Sequence, residues 1–148
     1  MSDGIACLEW SRAPLSRIEE PVLAMLESSL DELEQRGLDG LVIMGGGEGF
    51  AAGSDINTLI EAIRRKDWQW LEADVLRRQN IHRRIQQSRR PVVAAVHGLT
   101  LGMGCSLAMH ATRICAAHDL IMGFSEVNSG LIPSSGGNKE LLHRHAES

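Results

Sequence analysis

The sequence predicts one α/β layered domain whose strands are at least partly parallel. Three observations carry that expectation. Continuous apolar runs such as "DGLVIM" and "PVVAAV" have the texture of strands buried on both faces. Segments of helical periodicity alternate with them, and glycine-rich corners stand where strands pass into helices. No repeat, linker or low-complexity stretch divides residues 1–148, so they read as a single domain.

The elements follow in order. "GIACLEW" reads as a short strand. In "EEPVLAMLESSLDELEQRG" the residues Leu23, Leu26, Leu30 and Leu33 fall on one helical face, with Pro21 near the start and Gly37 past the end. After the strand "DGLVIM", the loop "GGGEGFAAGSD" leads to a helix carrying Ile56, Leu59, Ile60 and Ile63, with Ser54 as the expected N-cap. A long polar helix spans about Trp68 to Gln87 and must stop before Pro91. The strand "PVVAAV" then runs into "GLTLGMGCSLAMHATRI", a glycine corner opening a small-residue helix. "RICAA" and "LIMGF" read as short strands. "SEVNSGLIPSSGG" reads as a loop before a last helix, "NKELLHRH". The chain ends directly after that helix, which predicts a missing closing element.

Composition excludes several classes. Hydrophobic residues make up 43% and charged residues 23%, ordinary for a globular chain, and the formal net charge of −4 argues against general nucleic-acid binding. Cys7, Cys105 and Cys115 show no C-x-x-C and no metal-ligand spacing, which suits reduced thiols in a cytoplasmic compartment. No apolar run reaches membrane-spanning length, and "MSDGIACLEW" lacks a signal peptide's pattern. Nucleotide motifs fail: "GGGEGF" lacks the third glycine of G-x-G-x-x-G, and neither Lys66 nor Lys139 follows a glycine. His143 and His145 read as a solvated helix end, and no metal site is expected. His82, His97, His110 and His118 read as packed or surface residues.

Residues 64–90 hold nine basic residues against three acidic. A solvated helix face explains them, and a phosphate or RNA contact is the functional alternative. Trp68 and Trp70 are the only aromatic residues there for base stacking, which argues against RNA. The remaining signal is a pair. "GFAAGSDI" and "LTLGMGCSLA" each follow a strand and open a helix. Two convergent backbone N–H groups form an oxyanion hole, which stabilises charge developing on a carbonyl oxygen.

"FAAGSDI" and "PVVAAVHGLTLGMGCSLAMHATRICAAHDLIMGFSEVNSGLIPSSGGNKELL" closely resemble the crotonase (enoyl-CoA hydratase/isomerase) superfamily. The helix "WQWLEADVLRRQN" and the ending "GLIPSSGGNKELL" resemble the hydratase region of fused bacterial 3-hydroxyacyl-CoA dehydrogenases of fatty-acid β-oxidation. The resemblance implies a spiral of ββα units, here without the C-terminal helical part, and trimer-based homo-oligomers when full length. It also implies an acyl-CoA thioester as substrate, with coenzyme A as part of the substrate rather than a resident cofactor. By position, Ser54 and Met103 supply the two oxyanion-hole N–H groups, and Ala52, Gly53, Ser54, Asp55, Ile56 and Asn57 line the CoA region. Glu126 matches the family's second catalytic glutamate.

The sequence departs from the family at the first. Hydratases carry that glutamate in G-G-G-C-E, and this chain reads Gly102-Met103-Gly104-Cys105-Ser106. Ser106 is expected to face the reacting carbons beside Glu126, and a serine holds no proton-accepting charge near neutral pH. Ser134 and Ser135 likewise replace smaller residues. One-base isomerase chemistry through Glu126 is the expected mechanism. The alternatives are a non-catalytic acyl-CoA-binding domain, RNA binding through the arginine-rich helix, and a serine peptidase using Ser106 and His110, for which no acidic partner is evident.

Overall fold

A computed structural model describes residues 4–11 and 16–146. The elements are β1 (Ile5–Ser11), α1 (Glu20–Gln35), β2 (Gly40–Gly46), β3 (Ala51–Ala52), α2 (Ile56–Arg65), α3 (Trp68–Gln87), β4 (Val92–Val96), β5 (Leu99–Leu101), α4 (Met103–His110), β6 (Arg113–Ala116), β7 (Ile121–Gly123) and α5 (Gly137–Ala146). A 3₁₀ turn, Ser125–Ser129, follows β7.

Two parallel sheets organise them, ordered β1-β2-β4-β6 and β3-β5-β7. Each strand from β2 onward in the first sheet is followed by a short strand of the second, and a helical segment comes next. The chain thus repeats a strand–strand–helix unit. β3 and β5 lie inside the stretches that sequence reading assigned to glycine-rich corners. Strands of two and three residues leave no alternation to detect.

The leucine stripe of α1 is buried as its spacing requires: Leu23, Leu26, Leu30 and Leu33 join Leu41, Ile43, Ile81, Ile85, Val92 and Ala94 in the core. β2 and β4 differ from expectation. Their alternate residues are fully buried, but Val42, Met44, Val93 and Ala95 are only half-buried, so one face is covered completely and the other in part. Trp10 closes the core at the sheet edge, donating to the Phe50 carbonyl at 2.8 Å and packing edge-on against that ring.

One further expectation is corrected. Helix α2 is capped by Asp55, not Ser54: the Asp55 carboxylate accepts the Asn57 N–H at 3.2 Å and the Thr58 hydroxyl at 2.9 Å. The Thr58 hydrogen bond first, and the Asn57 bond next, hold the Asp55 carboxyl below its ordinary value. On α2 itself Ile56, Ile60 and Ile63 are exposed and only Ala62 is buried.

Candidate active site

The second sheet positions the site. β3 and β5 pair in parallel, Ala52 opposite Leu101, and β5 pairs with β7, Leu101 opposite Gly123. Three loops therefore leave the carboxyl ends of three adjacent strands side by side, where ligands of parallel sheets bind. The first carries Gly53 and Ser54, the second Gly102 and Met103, and the third Ser125 and Glu126.

Local chemistry fixes each corner. Gly53 accepts from the Ile18 N–H at 2.9 Å, and the Ala52 N–H donates to Ser16 at 2.8 Å, which ties the first corner to the segment before α1. Gly102 has φ of +55°, a conformation that lets β5 turn directly into α4. Met103 is the first residue of α4, so its N–H has no acceptor within the helix. Among the described residues neither the Ser54 nor the Met103 N–H is hydrogen-bonded.

The loops enclose a cavity of about 280 Å³, lined by Ala52, Gly53, Ser54 and Ile56 from the first corner and Gly102 and Met103 from the second. Ser125 and Glu126 line it from the third, and Leu131, Ile132, Ser134 and Ser135 continue the wall toward α5. Asp55 and Asn57, expected with this loop, lie outside it. Asp55 is engaged in capping α2 and pairs with Arg17 at 3.0 Å.

Glu126 stands against the second corner. A Cβ placed on Gly102 would lie 3.2 Å from Glu126 Oε1, so the glycine makes room for the carboxylate at the start of α4. The other oxygen, Oε2, is buried with no hydrogen-bond partner among the described residues, and Glu126 lines the same cavity as Ser54 and Met103, the residues that carry the two unpaired N–H groups. Burial, and then the nearby Glu126 charge, push the Cys105 thiol up to about 12.

Ser106 does not meet its expectation. It is fully buried, its hydroxyl has no partner among the described residues, and it is not among the residues lining the cavity. The start of α5 seals it: a Cβ on Gly137 would fall 2.5 Å from Ser106 Oγ. The peptidase alternative loses its geometry too, because His110 Nδ1 bonds the Ser106 carbonyl at 2.7 Å. His110 stacks on His82 at 4.8 Å between ring centroids. Burial lowers the His82 pKa to about 3, with the charges of His110 and Arg78 adding, and burial also lowers His110. Both histidines are packed residues, as read from the sequence, although their stacking has no sequence signal.

The arginine-rich helix resolves into structural pairs. Arg77 grips Glu27 at 2.7 Å and also reaches Glu20, while Arg84 reaches Asp31 at 2.7 Å and Glu34 at 3.1 Å. All four acids lie on or at the start of α1, so these cations clamp α3 to α1. Arg78 is different. It turns inward and lines the cavity, with Asp74 beside it at 2.7 Å. Sequence reading counted Arg78 among nine equivalents, since helical position alone does not tell an arginine on the rim from one inside. Among the described residues no group of three or more His, Cys, Asp or Glu is placed to hold a metal ion, and no helix is long and apolar enough to cross a membrane.

The chain is similar to known proteins over most of its length. The family profile described as enoyl-CoA hydratase/isomerase matches residues 7–147. Two proteins of Bacillus subtilis (strain 168) are similar over most of the chain. One, named "Probable 3-hydroxyacyl-CoA dehydrogenase", is 38% identical over 147 residues, covering 98% of this chain and 18% of that protein. The other, named "Probable enoyl-CoA hydratase", is 33% identical over 138 residues, covering 93% and 52%. The crystal structure of enoyl-CoA hydratase from Thermoplasma volcanium superposes with a TM-score of 0.79 at 31% identity, covering 93% of this chain and 54% of that one. The chain thus spans about half the length of the hydratases it matches, and less than a fifth of the dehydrogenase.

Proposed function

The chain belongs to the enoyl-CoA hydratase/isomerase family, and from that premise we propose that it holds an acyl-CoA thioester in the cavity between its glycine corners and moves a proton along the acyl chain with Glu126 as the one base. The Ser54 and Met103 N–H groups receive the thioester oxygen. Coenzyme A enters as part of the substrate, along the Ala52–Ile56 side of the cavity.

One observation carries this reading. Glu126 lines the same cavity as Ser54 and Met103 and keeps one oxygen without a partner among the described residues, while the residue at the family's other glutamate position, Ser106, is a hydroxyl buried outside the cavity. The cavity's other acid, Asp74, is bound to Arg78. Hydration of an enoyl thioester requires activation of water together with delivery of a proton to the α-carbon, duties that suit two carboxylates. Moving a double bond requires one. Glu126 removes a proton from C2 of a 3-enoyl thioester, the electron pair passes through the C3–C4 double bond and the carbonyl to give a dienolate, and the oxygen's charge is met by the two N–H groups. Glu126 then returns the proton at C4. The bond moves to C2–C3, and no proton is gained or lost.

The test follows two substrates, crotonyl-CoA for hydration and a 3-enoyl-CoA for isomerisation. Isomerisation should exceed hydration, and Glu126→Gln should lower it by about 10²–10⁴. Met103→Leu keeps the N–H and should be mild, whereas Met103→Pro removes it and should cost about 10²–10³. Fast hydration of crotonyl-CoA by the unaltered chain would overturn the one-base mechanism. Equal damage from leucine and proline would overturn the N–H assignment.

A further inference from the structure

We propose that Arg78 is the positioning residue of this site: its guanidinium fixes the Ser54 and Met103 corners relative to each other, and with them the spacing of the two N–H groups that meet the substrate oxygen. The proposal rests on the preceding reading for what those N–H groups do, and on the following contacts for how they are held.

Arg78 Nη1 donates to Ser54 Oγ at 3.0 Å and to the Ile18 carbonyl at 3.1 Å, and it lies against Met103 Sδ. The Ser54 hydroxyl also donates to Met103 Sδ at 3.5 Å, so the side chains of both N–H-bearing residues meet at one guanidinium. Ile18 completes the link, since its own N–H bonds Gly53, the residue before Ser54. Nε is committed to Asp74 at 2.7 Å, one turn back on α3, which fixes the plane of the fork. Arg78 is well buried, with 14% of its side chain exposed, and Asp74 11%.

Neutralising a buried charge needs only Asp74. The remaining contacts are uncharged groups from three other segments: the irregular stretch before α1, the β3–α2 corner and the first turn of α4. A planar fork with directed N–H groups can hold such a set, whereas an ammonium at the end of a flexible stem cannot reach Asp74 and the corners in the same geometry. Arg78 and Asp74 also line both this cavity and a neighbouring one of about 230 Å³ between α1, α2 and α3, so with Leu59 the pair stands between them. The other α3 arginines described above reach the acids of α1 and touch neither corner.

The test uses the full chain with an acyl-CoA whose thioester carbonyl carries ¹³C, read by difference infrared spectroscopy. Two convergent N–H groups weaken the bound C=O bond and move its stretch to lower wavenumber. In Arg78→Lys, which keeps the charge and loses the fork, the stretch should return most of the way to its free value. The kcat should fall by about 10², the effect of misplacing a reacting group by an ångström, with KM changed severalfold at most. Ser54→Ala keeps the N–H and removes one of Arg78's acceptors, and should give a smaller shift in the same direction. It carries the test alone if Arg78→Lys does not fold. A carbonyl that is unshifted in the unaltered chain overturns the oxygen-binding reading and this proposal together. A shifted carbonyl, unchanged in the folded variants, overturns the role of Arg78 while leaving that reading intact.

Discussion

Gly104 sits where α4 passes closest to β3, and replacing it with alanine perturbs the spacing of the two corners without touching a cavity residue. The added Cβ would lie 2.5 Å from the Ala51 carbonyl oxygen and 2.8 Å from Ala51 Cβ. Ordinary contact begins at 3.4 Å, so the helix or the strand must withdraw by about 0.9 Å (3.4 minus 2.5). Backbone, not a flexible side-chain end, stands in the way, so no rotamer change relieves the clash. Overpacking of this kind costs about 1–3 kcal/mol, which at about 2–4 °C per kcal/mol for a chain of this size is a visible fall in Tm. Function should suffer more than stability does. Met103 is the neighbouring residue and moves with the helix start, and a displacement near 1 Å at reacting groups costs about 10² in rate. Thermal unfolding followed by circular dichroism, and turnover of a 3-enoyl-CoA by the folded fraction, measure the two effects separately. A Gly104→Ala protein with unchanged Tm and unchanged kcat would show that α4 and β3 are not in close contact and would refute the reasoning.

Two other outcomes follow from burial. The unfolded His82 imidazole takes up a proton below about pH 6.5, while the folded one does not until about pH 3, so across that window the unfolded state holds more protons and stability falls with falling pH. The contribution is fully present above pH 6.5 and falls by at most about 1.4 kcal/mol per pH unit for this group. Urea midpoints measured from pH 7 to 4 should therefore drop less steeply in His82→Phe than in the unaltered chain, and parallel profiles would refute the assignment. Cys7 and Cys115 are exposed, whereas Cys105 is buried with its thiol pushed up to about 12. A thiol-disulfide reagent at pH 8 should consume two thiols quickly and the third only on unfolding, and three fast equivalents would contradict the packing of α4.

The sequence by itself determined the elements with enough residues to show a period. The α1 stripe from Leu23 to Leu33 and the span Trp68–Gln87 are in the structure as read, because one buried face and one stop before proline are local signals. It also nominated candidates for the site: two glycine corners from their pattern, and Glu126 from the resemblance to the family. Tertiary structure decided what joins them. The pairing of β3, β5 and β7 brings the three loops together, and no local pattern in strands of two or three residues announces it. The same holds at Ser54, whose hydroxyl turns to Met103 and Arg78 while Asp55 takes the cap. It holds at Ser106, which α5 seals off from the cavity that its helix opens. Arg77 and Arg78 are adjacent in the chain and alike in chemistry. One helical step of about 100° separates a cation on the acids of α1 from one between the two corners, and only packing selects which is which.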